Sequence, residues 1–233
     1  MDQELLPMRI TLLTFFCMAF FPASALADPA LDVAAVIQGK KCAACHRFAK
    51  DDAVGAYPAP DLFYAGDKFQ SKWLTGFLLK PEAIRIAGHI TDPGFLQGQP
   101  ETQGSHPSLS EEEAEAMGAY LMSLKLEGLG PAKVDAGALS KGQQVKAKIL
   151  FERDYGCTAC HKGVNLARKP KGGISGPALI DAGNRLNPDW IYHWLKNPKA
   201  FLARGRMPVY KLDDAAVVQI VKYLMTLKKE NLR

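Results

Sequence analysis

Two short stretches of this 233-residue chain place chemically able side chains at the same spacing: Cys42-Ala-Ala-Cys45-His46 and Cys157-Thr-Ala-Cys160-His161. Two thiols three residues apart lie on one turn of chain and can add to the two vinyl groups of a porphyrin. The residue that follows then brings an imidazole under the iron. Covalent linkage of this kind retains a cofactor in a small domain that could not enclose it. A Cys-x-x-Cys pair can also serve thiol redox chemistry or form half of a zinc site. The redox pair needs no histidine at that place, and zinc needs a second ligand set. The two motifs therefore point to two covalently bound haem c groups, held by Cys42, Cys45, Cys157 and Cys160, with His46 and His161 as iron ligands.

Each iron needs a sixth ligand, which His, Met, Cys, Lys or Tyr can supply. Arg206-Met207-Pro208 follows His161 by 46 residues and precedes a helix-like segment, Asp213 to Lys229. A Met-Pro in a loop just ahead of the last helix resembles the axial-methionine loop of class I cytochromes c. The resemblance extends to Gly176-Pro177-Ala178-Leu179, which matches that family's loop beneath the proximal histidine. It implies that Met207 is the sixth ligand of the second iron. It also implies that a proline carbonyl fixes the histidine ring by accepting its Nδ1 proton. The first half has no Met-Pro, and Met117 and Met122 fall in its last-helix pattern, where they read as core. His106-Pro107 stands instead just before Ser110-Glu111-Glu112-Glu113, an N-cap with an acidic first turn. His106 thus takes the place of Met207, and the first haem reads as bis-histidine. His89 is an alternative, because it follows Pro81 at nearly the distance at which Met207 follows Pro198; a five-coordinate iron is the third.

An internal repeat supplies the elements that position these groups. Pro60–Pro81 aligns with Pro177–Pro198 without a gap, at an offset of 117. Identical pairs include Pro60/Pro177, Leu62/Leu179, Gly66/Gly183, Trp73/Trp190, Leu78/Leu195 and Pro81/Pro198. Tyr120-Leu-Met-Ser-Leu-Lys125 is mirrored by Tyr223-Leu-Met-Thr-Leu-Lys228. Hydrophobic periodicity predicts a helix before each motif (Leu31 to Gln38; Gly142 to Glu152), a Trp-bearing middle helix (Lys72 to Lys80; Pro188 to Lys196) and a last helix (Glu111 to Leu126; Asp213 to Lys229). Trp73, Phe77, Trp190 and Trp194, at helical spacing, read as core and pocket packing. The expected fold is all-α, two class I cytochrome c-like helical domains in tandem. The domains run over 28–130 and 131–233, with a linker near 128–138. Between Pro81 and His106 the first copy carries a longer Gly-, Pro- and Gln-rich stretch than the second has between Pro198 and Met207, and this reads as a surface loop.

Residues 1–27 read as a secretory signal, with Arg9, an apolar run from Ile10 to Phe21 and Ala25-Leu26-Ala27 before Asp28. Met8 is an alternative start, and Cys17 would leave with the signal. The apolar run is short for a bilayer span, so the mature chain is expected to be periplasmic or otherwise exported, with no stable membrane span. Charge is split: 28–130 holds nine Lys/Arg against 14 Asp/Glu, a net of −5, and 131–233 holds 19 against eight, a net of +11. Such a field favours an acidic redox partner at the second domain, and an exported haem protein has little call for nucleic acid. No nucleophile–base pair or phosphate-binding loop is evident, so the expectation is an electron carrier rather than an enzyme. Axial methionine raises haem potential, and bis-histidine ligation is usually lower in the resembled family. Electrons would then enter at the first haem and leave at the second. Two other readings remain. The chain could be the haem subunit of a larger dehydrogenase or reductase. It could also be a dihaem peroxidase, with Gln99, Glu101 and Gln103 near the first iron, although such enzymes are longer.

Overall fold

Nine helices and one short strand pair follow each other along a computed structural model that describes residues 31–53, 59–85, 97, 105–131, 134–135, 137–203 and 205–233. The expected signal, Cys17, His89, Gln99, Glu101, Gln103 and most of the long loop lie outside the described residues. The first half contains α1 (Val33–Gly39), α2 (Ala65–Lys68), α3 (Ser71–Leu79) and α4 (Glu111–Ser123). The second contains α5 (Lys141–Ile149), α6 (Ala182–Arg185), α7 (Pro188–Lys196), α8 (Pro198–Phe201) and α9 (Asp214–Met225). None of the described helices is long and apolar enough to cross a membrane.

Capping explains where the principal helices begin. Ser110 and Ser140 each form a reciprocal capping box, with Glu113 and Gln143, and the Asp213 carboxylate accepts from Ala216 N at 2.7 Å. Each such cap contributes about 1 kcal/mol. Pro188 opens α7, where its missing N–H has no intrahelical partner to lose. The last helices bury one stripe each: Ala114, Met117, Gly118 and Leu121 on α4, and Val217, Ile220, Val221 and Leu224 on α9. Against α4 pack α1, α2 and α3; against α9 pack α5, α6 and α7. Burial of one such aliphatic side chain contributes roughly 1.5–3 kcal/mol.

Both last helices stop earlier than the periodicity predicts, at 123 and 225, for one reason. The next carbonyls are taken by a glycine of the Pro-to-Pro repeat: Gly66 N donates to Leu124 O at 2.9 Å, and Gly183 N to Leu227 O at 2.8 Å. A Cβ on either glycine would run into the Met122 or Met225 carbonyl. Close backbone approach is why both positions hold glycine. The second half also has an antiparallel pair, β1 (Lys162–Val164) with β2 (Pro170–Gly172), in the register Gly163 to Lys171. Two lysines among Gly, Pro and a single Val carry no alternation, so periodicity could not show it.

The halves meet through reciprocal contacts at the repeat offset, and residues 31–233 form one unit. Phe69 and Leu186 form an isolated antiparallel bridge. Gln70 N donates to Arg185 O and Asn187 N to Lys68 O, both at 2.9 Å. The Gln70 side chain donates to the Gly183 and Leu186 carbonyls, and the Asn187 side chain to those of Asp67 and Phe69. Lys68 Nζ lies 6.0 Å from the ring of Trp190, and the Arg185 guanidinium 5.8 Å from that of Trp73. Tyr64 stacks on Trp190 with centroids 4.6 Å apart.

Candidate haem-binding sites

Each Cys-x-x-Cys-His is wound into a single 3-10 turn, Cys42–Ala44 and Cys157–Ala159. Cys45 N and His46 N both donate to Cys42 O, and Cys160 N and His161 N to Cys157 O. One carbonyl thus closes the turn that carries both thiols and the imidazole. The residue entering each turn is left-handed: Lys41 with φ 55° and Gly156 with φ 60°. This conformation costs little at Gly156 and on the order of 1 kcal/mol at Lys41.

The imidazoles are held alike. His46 Nδ1 donates to Pro60 O at 2.6 Å, and His161 Nδ1 to Pro177 O at 2.7 Å. With Nδ1 protonated, Nε2 keeps its lone pair for a metal. Burial lowers both histidines below their ordinary value, so the rings are neutral near pH 7, although the proline carbonyls pull the other way. Pro60 and Pro177 are partners in the repeat, so the proximal arrangement is duplicated atom for atom. In the second half Gly173 N donates to Thr158 O and Gly176 N to Cys160 O, lacing the loop to the turn. A Cβ on Gly176 would stand 2.7 Å from the His161 ring, which is why the loop beneath the imidazole begins with glycine.

Among the described residues Cys42, Cys45, Cys157 and Cys160 form no disulfide. Burial pushes Cys42 upward and Cys157 to about 11. A dithiol built for redox exchange has its thiolate stabilised, so these environments suit thiols that are to be alkylated and enclosed.

The distal candidates are held differently. The His106 ring lies 6.1 Å from the His46 ring, centroid to centroid, and 5.2 Å from Phe77. Its Nδ1 donates to Pro107 O at 2.8 Å, so its Nε2 is also open to a metal. Two imidazoles bonded to one metal at about 2 Å each stand with centroids roughly 6 Å apart, so this separation fits a shared iron. Met207 is half-buried and accepts at Sδ from the Trp194 indole N–H at 2.9 Å. That bond leaves a second sulfur lone pair available. Trp194 itself stacks on Phe201 of α8. Met117 is 3% exposed, in the core as expected. The Trp194 donor was legible only as a pocket aromatic, because its acceptor lies 13 residues away through an irregular loop.

Two paired turns, each presenting two thiols and a tautomer-fixed imidazole, define a protein that carries two covalently attached tetrapyrroles. The Cytochrome c family model matches the chain twice, over residues 31–125 and 140–228. The chain belongs to the cytochrome c family, as two tandem domains with two covalently bound haem c groups, and serves electron transfer. No curated protein and no solved structure matched it.

Proposed function

We propose that the chain is an exported dihaem electron carrier whose first haem is bis-histidine and whose second is His/Met, with electrons passing from the first to the second. Cys42 and Cys45 would hold one haem and Cys157 and Cys160 the other. His46 and His106 would bind the first iron, and His161 and Met207 the second. Each bound iron takes up and releases one electron; the chain sets its ligands, orientation and field. The domains would divide at 130/131. The observation that carries this reading is the 6.1 Å separation of the His46 and His106 rings, against a methionine sulfur held by Trp194 in the other half.

Imidazoles whose Nδ1 protons are committed to carbonyls present strong nitrogen donors to the first iron. A thioether on the second favours the reduced state, which gives the direction. The basic second domain would receive an acidic redox partner, and that association should slow with added salt. Near-infrared and low-temperature magnetic spectroscopy of the oxidised protein tests the ligands. The expected result is one methionine–iron charge-transfer band beside one bis-histidine signal. Two methionine bands would overturn the first assignment, and none would overturn the second.

A further inference from the structure

Charge and burial do not balance where the halves meet. The buried carboxylates among the described residues are Asp61 and Asp181, and each already has an arginine. Arg47 forks onto Asp61 at 2.8 and 2.6 Å, and Arg185 meets Asp181 at 3.4 Å. Lys68 and Arg85 are half-buried there, and among the described residues neither forms a salt bridge with a carboxylate, although Asp61 acts favourably on Lys68. Burial works against both charges, bringing Lys68 down to about 7 and lowering Arg85, whose neighbour Arg206 adds to the effect.

Arg85 belongs to the first half in sequence but reaches the second site in space. Ala178 N donates to the carbonyl of Ile84 at 2.7 Å. Ala178 directly follows Pro177, whose carbonyl holds His161. The ion pair of Glu82 with Lys229 fastens the same stretch from its other end. The guanidinium of Arg85 therefore lies within electrostatic range of His161 and of Arg206, the neighbour of Met207. A positive charge such as that of Arg85, held in a half-buried space, costs free energy unless an anion joins it. A haem brings two carboxylates.

We propose that Arg85, supplied by the first half, belongs to the second haem's site and binds the carboxylates of the haem held at His161. This rests on His161 being that haem's proximal ligand. Arg85 is then a positioning residue, and the second haem's potential depends on the first half being docked. Loss of a nearby positive charge favours the oxidised iron, so the potential should fall.

Potentiometric titration of the holoprotein tests this, with each haem followed by its own spectrum. Arg85→Gln should lower the second haem's reduction equilibrium constant on the order of tenfold, about 59 mV for one electron. The first haem should move less. Arg85→Lys should restore most of the shift. Glu82→Gln, which cuts the neighbouring ion pair and leaves Arg85 in place, should move neither haem. An unmoved second potential in Arg85→Gln with the methionine band intact would overturn the proposal. So would an equal shift in Glu82→Gln, or a shift confined to the first haem. If the unmodified protein lacked the methionine band, the role of Met207 would fall, while the second haem's visible spectrum would still decide the role of Arg85.

Discussion

The two halves are near-copies around their attachment turns and unlike around His106 and Met207. The same turn, the same Nδ1-to-proline bond and the same glycine-sealed helix end recur in both halves. Ahead of the last helix, the second half folds α8 directly after α7, and Phe201 packs on Trp190 and Trp194, behind the indole that meets Met207. The first half has a longer connection there, and His106 lies exposed on an extended stretch, against Phe77 and its own neighbour's carbonyl. The lesson is that one scaffold can keep its attachment geometry while the loop ahead of its last helix changes the side chain it offers.

The severest way to break the comparison is to delete one attachment site at a time. Cys42→Ala with Cys45→Ala should leave one covalent haem per chain and abolish the bis-histidine signal. Cys157→Ala with Cys160→Ala should instead abolish the methionine band. A haemochrome assay against protein concentration, with the two spectra, reads both outcomes. If both signals survived either deletion, the assignment of ligands to halves would be wrong.

Exchanging the distal ligands is the next largest perturbation. Met207→His should lower the second haem's potential and His106→Met should raise the first, each by more than about 59 mV, one tenfold step for a single electron. Redox titration should show the gap between the haems shrinking in both variants. A gap that widened would reverse the proposed direction of transfer.

Much of this was open to sequence because it is local. Attachment turns, caps and helical stripes depend on residues within a few positions of each other, and the repeat located the shared elements. The interface was not legible, because Gln70 and Asn187 find their acceptors more than a hundred residues away. The glycine pair Gly66/Gly183 was visible in the repeat, but it marks the close approach of each half to the end of its own last helix, not the interface. Arg85 was hidden for another reason: its place in the first repeat says nothing of a site in the second.

Two smaller effects sharpen the comparison. Gln70→Ala and Asn187→Ala each strand carbonyls of the opposite half and should cost about 1–3 kcal/mol. Denaturant unfolding should give similar losses for the two, and a large loss from only one would break the reciprocity of the interface. Trp194→Phe removes the donor to Met207 Sδ, worth about 1 kcal/mol, or roughly fivefold in ligand retention. The methionine band should fade at lower temperature on heating, while the bis-histidine signal stays unchanged.

The reciprocal contacts between Gln70 and Asn187 have a meaning beyond stability. A surface in which one element's side chain caps its counterpart's backbone, and is capped in return, is self-complementary in the sense of a two-fold symmetric dimer. A single ancestral domain bearing this patch could have paired with a second copy of itself. Joining two such copies through a short linker turns a concentration-dependent encounter into an intramolecular one. Once the pair could no longer exchange partners, its members were free to differ, one setting a second histidine near its attachment turn and the other a methionine held by an indole.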